Sequence, residues 1–229
     1  MSHKSIVTNV EEYAFDVLVA QRVSWEYVFG ETNSVSGGGS NLTSPTFGSA
    51  LWVLDYALKA ASIGITRSYF HHCTIGICYY SFWDRVNVNA PFYGAYVATA
   101  AMAGGKYIAA LDDGRSNYGG YIVYSGQGAA MRVILLNSDF YGGASNETRG
   151  LEKFVLEGLG EGSVRARRFT AESAMARVDE GQTPKFGGQW FLNEDCALVG
   201  KEEVEETRVV SGKVEFSVAA SEALLIERC

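Results

Sequence analysis

The chain has 229 residues, 47% hydrophobic, 13% aromatic and 20% charged, with a formal net charge of -7. Such a composition supports a packed core and excludes a disordered or low-complexity chain. It holds no run of about 18 apolar residues to span a bilayer, and its acidic balance argues against nucleic acid or an anionic membrane as the main partner.

The opening stretch, MSHKSIVTNVEEYAFDVLVAQ, lacks the charged, apolar and small-residue regions of a signal peptide. It reads as one amphipathic helix with Val10, Tyr13, Ala14, Val17 and Leu18 inward and Glu11, Glu12 and Asp16 outward. Opening directly on such a helix, the chain reads as one entered partway. Trp25 to Phe29 is a strand, followed by a glycine-rich loop from Gly30 to Asn41. The next helix has Ser44 as N-cap, Pro45 at its first position and Gly64 just past its end. Phe47, Leu51, Leu54, Leu58 and Ala61 form its apolar face. Ile65 to Phe70 is a second strand, and Phe92 to Met102 a largely buried helix. Strand, helix, strand, helix at this spacing is the βα unit of a parallel sheet or barrel.

From Lys106 the texture changes. Short runs recur at Tyr121–Tyr124, Met131–Leu136, Glu152–Leu156, Val164–Phe169, Gln189–Phe191, Val214–Val218 and Ala223–Ile226, separated by turn clusters such as Asp112-Asp113-Gly114. That rhythm indicates an antiparallel β-sandwich of about seven or eight strands. With no internal repeat and no long linker, the two parts are expected to share an interface.

Glu31 stands at the end of the first strand, followed by Gly37-Gly38-Gly39. Strand ends of this kind carry active sites in βα barrels, and successive free N–H groups on glycines hold an oxyanion or carboxylate. The competing reading is an exposed turn glutamate beside a loop. Retaining glycoside hydrolysis needs two carboxylates, and a second is hard to find. Glu26 lies inside the strand, Asp55 in mid-helix suits a solvated or capping role, and Asp84 has Arg85 as a ready ion-pair partner. His71, His72, Cys73 and Cys78 do not match zinc spacings, so neither metal nor cofactor is expected. A histidine there suits hydrogen bonding in a sugar pocket. Tyr79, Tyr80, Phe82 and Trp83 offer faces for sugar rings, with Phe82 and Trp83 equally suited to core against the β-sandwich. The separation of Cys73 and Cys78 permits a disulfide without requiring one, and four cysteines in all, with Cys196 and Cys229, are too few for a disulfide scaffold. Asn41-Leu42-Thr43 and Asn146-Glu147-Thr148 are N-glycosylation triplets.

The segment GETNSVSGGGSNLTSPTFGSALWVLDYALKAASIGITRSYFHH resembles the region around the nucleophile of family 79 glycoside hydrolases, the β-glucuronidases and heparanase, and most of all their fungal members. The likeness continues through IGICYYSFWDRVNVNAPFYGAYVATAAMAG, MRVILLNSDFYGG, RRFTAESA, FGGQWF and SEALLIE. It implies an α+β fold: a partial (β/α) barrel segment over residues 1–105, then a β-sandwich over 106–229. It also implies that Glu31 is the nucleophile, that Gly37 and Gly38 contact a glucuronate carboxylate, and that His71 and Tyr80 line the sugar pocket. Ser36 stands where relatives often have tyrosine, which bears on glucuronate preference.

In the family the acid/base glutamate sits in an Asn-Glu pair on an earlier barrel strand. The pairs here, Asn146-Glu147 and Asn193-Glu194, both fall in the β-sandwich. A barrel takes about 250 residues, so only its last strands fit before residue 106. The expectation is the carboxyl-terminal portion of a β-glucuronidase, acting on glucuronides or a related carbohydrate and inactive by itself. Alternatives are a subunit complemented by another chain, a non-catalytic sugar-binding or structural β-domain, and a truncated gene model of a secreted enzyme. The localisation of this chain is not indicated, whereas full-length relatives are expected to be extracellular.

Overall fold

The computed structural model describes residues 2–73 and 78–228. Two short helices, α1 (His3–Glu11) and α2 (Ala14–Arg22), replace the single helix expected at the start. The chain turns at Glu12 and Tyr13, which resets the helical phase, so a stripe extrapolated across the turn fails. Ile6, Val7, Val10 and Val17 are buried, whereas Tyr13 is 41% and Leu18 54% exposed.

Strand β1 (Tyr27–Thr32) begins two residues later than the sequence suggests, because Ser24 takes a left-handed turn (φ 59°). Glu26 therefore lies outside the strand. Helix α3 (Phe47–Ser62) has Thr46 at its N-cap. Ser44 instead accepts a hydrogen bond from the Ser40 N–H at 3.0 Å, within the preceding loop. Gly64, in the left-handed region (φ 98°), ends α3 as expected and leads into β2 (Ile65–Phe70). Helix α4 (Ala90–Met102) packs so closely on α3 that a Cβ at Gly94 would lie 2.1 Å from the Ala50 carbonyl oxygen.

The rest of the described chain is mainly β-structure: β3 (Tyr107–Ala110), β4 (Tyr118–Tyr124), β5 (Ala130–Asn137), β6 (Leu151–Glu157), β7 (Ser163–Thr170), β8 (Lys185–Phe186), β9 (Trp190–Phe191), β10 (Leu198–Val199), β11 (Glu205–Arg208), β12 (Lys213–Ala219) and β13 (Glu222–Arg228). The larger sheet runs β11-β7-β13-β5-β4-β3, with β8 beside β7; β12 and β6 form a second antiparallel pair, and so do β9 and β10. Val214, Phe216 and Val218 of β12 alternate inward and meet Val133, Leu135, Leu224 and Ile226 of the larger sheet. The other face of that sheet packs on the helices, joining Tyr121, Ile134, Leu136, Phe169 and Leu225 to Phe47, Leu54, Leu58, Tyr93 and Val97. Strand β13 is therefore buried on both faces, which is why Ala223 to Ile226 reads as an unbroken apolar run. The overall character is α+β, with a sandwich-like antiparallel part sharing a core with the helices.

A polar staple crosses that junction. His3 is fully buried, with Nδ1 2.9 Å from Asp55 on α3 and Nε2 2.9 Å from Asp112 in the β3–β4 turn. Tyr121 of β4 donates its hydroxyl to Asp55 at 2.5 Å. Asp55 is thus neither solvated nor a cap, because the helix face that carries it points into the junction. Burial alone would lower the His3 pKa. Hydrogen bonds to Asp112 and Asp55, and the carboxylate charges, more than offset it and hold the pKa at about 9. Both ring nitrogens donate, so His3 is an imidazolium at neutral pH.

Candidate functional site

Strands β1 and β2 are parallel, with Thr32 opposite Phe70, so their carboxyl ends lie side by side. In this layer Phe29 packs on Tyr56 of α3 (ring centroids 5.7 Å), and Thr32 donates its hydroxyl to the Tyr56 oxygen at 2.8 Å. Two residues three apart cannot face the same helix under strict two-residue alternation. The register irregularity between Phe29 and Thr32 supplies the extra residue, and bulges of this kind re-aim side chains. Glu31 consequently leaves the helix-packed face and is exposed, and its carboxylate makes no hydrogen bond or ion pair among the described residues.

The loop after Glu31 is held against the segment after β2. The His71 N–H donates to the Thr32 carbonyl at 3.1 Å, and the Asn33 amide donates to the His71 carbonyl at 2.8 Å. The Tyr79 N–H donates to the Gly38 carbonyl at 2.9 Å. Tyr80 is buried against Gly39, where a Cβ would fall 2.7 Å from the Tyr80 ring, and His71 meets Tyr80 edge to face at 6.0 Å. Gly37 (φ 67°) and Gly38 (φ 94°) are successive left-handed residues. Their N–H groups donate to no other described residue, the arrangement of an anion-binding nest. The fold thus brings Glu31, Gly37, Gly38, His71 and Tyr80 to one end of the two-stranded sheet. Sequence reasoning missed Tyr56 and Asn33, whose contacts depend on the bulge and on parallel pairing.

Other candidates lie elsewhere or serve the scaffold. Glu26 forms an exposed ion pair with Arg67 at 3.3 Å. Asp84 does not pair with Arg85. Its carboxylate accepts from the N–H groups of Val86 and Asn87 and from the side-chain amides of Asn87 and Asn89. Burial pushes Asp84 upward, but these bonds together hold it below the usual carboxylate range. Phe82 belongs to the core beneath β1 and β2, with Phe29, Trp52 and Ile65, and not to an interface with the sandwich. Trp83 is 51% exposed and lies against His72, ring centroids 4.4 Å apart; Tyr79 is 50% exposed. Cys73 and Cys78 form a disulfide and Cys196 is free; Cys229 and residues 74–77 lie outside the described residues.

Neither Asn-Glu pair lies on a strand. Glu147 accepts from the Gly142 and Gly143 N–H groups, and Asn193 accepts from the Val88 N–H. Asn41 accepts from Arg177 at 3.1 Å, while Asn146 sits in an exposed turn. A cavity of about 660 Å³ lined by Gln21, Gly64 and Thr66 opens at the opposite, amino-terminal end of β2.

Residues 120–225 match the glycosyl hydrolase family 79 C-terminal beta domain. The chain aligns over 99% of its length with 49% of a 4-O-α-L-rhamnosyl-β-D-glucuronidase from Fusarium oxysporum 12S in complex with Rha-GlcA, with 42% identity and a TM-score of 0.93. A β-glucuronidase from Aspergillus niger is 27% identical over 75% of this chain and 34% of its own length. Another from Neurospora crassa is 32% identical over 45% of this chain and 19% of its own length. The chain thus spans about half of the first of these relatives and a smaller share of the other two. Residues 120–225 thus match that family's C-terminal beta domain, and the whole chain has a glycoside hydrolase-type fold similar to that of the Fusarium glucuronidase.

Proposed function

We propose that this chain is the nucleophile-bearing portion of a retaining β-glucuronidase. In this reading residues 1–105 are the last strands and helices of a (β/α) barrel, and residues 106–229 are the sandwich that braces them. Glu31 attacks the anomeric carbon and displaces the aglycone oxygen, forming a glycosyl ester that water then hydrolyses. The Gly37 and Gly38 N–H groups hold the glucuronate carboxylate, and His71 and Tyr80 wall the sugar. The single observation that carries this reading is the unpaired Glu31, turned by the bulge to the open carboxyl end of β1 beside the glycine nest.

The substrate class follows the Fusarium relative, a 4-O-α-L-rhamnosyl-β-D-glucuronidase in complex with Rha-GlcA. A glucuronide bearing a 4-O substituent is therefore the proposed substrate, with Ser36 leaving room where a tyrosine would stand. The other carboxylates weighed for the acid/base role, Glu26, Asp55 and Asp84, are engaged by Arg67, by His3 and Tyr121, and by loop amides. The acid/base accordingly belongs to barrel strands other than β1 and β2, supplied by further polypeptide or a complementing chain. A disulfide beside the site suits an oxidising, extracellular setting.

The test is hydrolysis of an aryl β-glucuronide by the 229-residue polypeptide. Loss of leaving-group protonation alone costs roughly 10²–10⁴-fold in rate, so negligible turnover is expected. Turnover that disappears in Glu31→Gln would refute the assignment of the acid/base to other strands.

A further inference from the structure

Building on the sugar-site reading above, we infer that the Cys73–Cys78 disulfide is a positioning element of that site, and that its reduction loosens the pocket without unfolding the sandwich. Cys73 follows His71 by two residues and Cys78 precedes Tyr80 by two, so the bond ties together the two residues that wall the sugar. Their Cα atoms are 5.7 Å apart. The Cys73 sulfur lies 3.5 Å from the Tyr80 hydroxyl, and a Cβ at Gly38 would sit 3.8 Å from the Cys78 sulfur. The next residue, Tyr79, donates its N–H to the Gly38 carbonyl. The disulfide is thus in contact with both sides of the site, the segment after β2 and the glycine nest after β1.

Among the described residues, this segment is otherwise held by the His71 and Tyr79 N–H groups, the Asn33 amide and the buried Tyr80 ring, while Tyr79 is half exposed and His72 lies tilted against the exposed Trp83. The sandwich core contains neither cysteine, so it has no reason to respond. Opening the bond frees the Tyr79 and Tyr80 backbone from His71, and the nest loses the carbonyl contact that fixes its orientation. Reduction by a trialkyl phosphine breaks the S–S bond, leaves two thiols with protons from water, and converts the phosphine to its oxide with the water oxygen.

The experiment compares the oxidised chain, the phosphine-reduced chain and the Cys73→Ser/Cys78→Ser variant by 15N-resolved amide exchange and by titration with sodium glucuronate. Reduction or substitution is expected to speed Tyr79 amide exchange at least tenfold. It should also weaken the glucuronate response of the Gly37 and Gly38 amides at least fivefold, with exchange in β5 and β13 unchanged. An unchanged Tyr79 rate, or equal glucuronate affinity in oxidised and reduced chains, overturns the positioning role. Silence of Gly37 and Gly38 toward glucuronate in the oxidised chain overturns the sugar-site reading instead, while the Tyr79 comparison still judges the tie.

Discussion

Replacing His3 by Gln tests the staple that joins the helices to the sandwich. The imidazolium bridges Asp55 and Asp112, and its pKa rises from 6.5 to about 9 on folding. At 1.36 kcal/mol for each tenfold change in proton affinity, protonated His3 contributes about 3 kcal/mol. Because the folded state raises the pKa, that contribution is fully present below pH 6.5, declines as pH rises, and is gone above about pH 9. For a chain of this size 1 kcal/mol moves Tm by about 2–4 °C, so His3→Gln should lower Tm at pH 6 by roughly 6–12 °C. The fully buried Asp55 and the part-buried Asp112 also lose hydrogen-bond geometry that glutamine does not reproduce, a part of the gap that persists once wild-type His3 is neutral. Thermal unfolding of the wild type and variant at pH 6 and pH 9.5 measures both parts: the gap narrows at the higher pH by about 3 kcal/mol. A gap that is the same at both pH values, or an NMR titration of His3 centred near 6.5, would refute the reasoning.

Glu31→Gln should change unfolding free energy by less than about 0.5 kcal/mol, since an exposed, unpaired carboxylate carries little stability; a loss above 1 kcal/mol in denaturant titration would assign it a structural role. Gly94→Ala drives a methyl into the Ala50 carbonyl and should cost at least about 1–3 kcal/mol through separation of α3 and α4, read by chemical unfolding. Glu227 sits among Arg132, Arg167 and Arg165. Burial pushes its pKa up, and the three guanidiniums more than offset this and lower it below 4.5. Its contribution is therefore present above pH 4.5 and lost as pH falls below that value. Glu227→Gln should destabilise at pH 7 and converge on the wild type in acid, as followed by circular dichroism.

Periodicity located the long elements because their burial is one-sided or complete. Phe47, Leu51, Leu54 and Leu58 fall on one helix face, Ile65 to Phe70 is a strand as expected, and Val214, Phe216 and Val218 alternate inward. The short strands β3, β8, β10 and β11 were not legible, because two to four residues give too little pattern, and β11 in addition pairs with β7 rather than with a neighbouring strand. The first helix failed at Glu12 and Tyr13, where no glycine or proline marks the turn. Asp55 was misjudged because its partners, His3 and Tyr121, lie 52 and 66 residues away. At the site, the position of Glu31 before a glycine loop was visible. The bulge that turns its side chain outward was not, since it shows only in the register with β2.

The nucleophile assignment is tested most directly with 2-deoxy-2-fluoro-β-D-glucuronyl fluoride and intact-protein mass spectrometry. Fluoride leaves without a proton, so the step needs a placed carboxylate and no acid/base: the C1–F bond breaks as the Glu31 oxygen bonds to C1. The account predicts a single glycosyl ester mapped by peptide sequencing to Glu31 and absent in Glu31→Gln. Labelling at another carboxylate, or no label on a chain whose Gly37 and Gly38 amides respond to glucuronate, would contradict it.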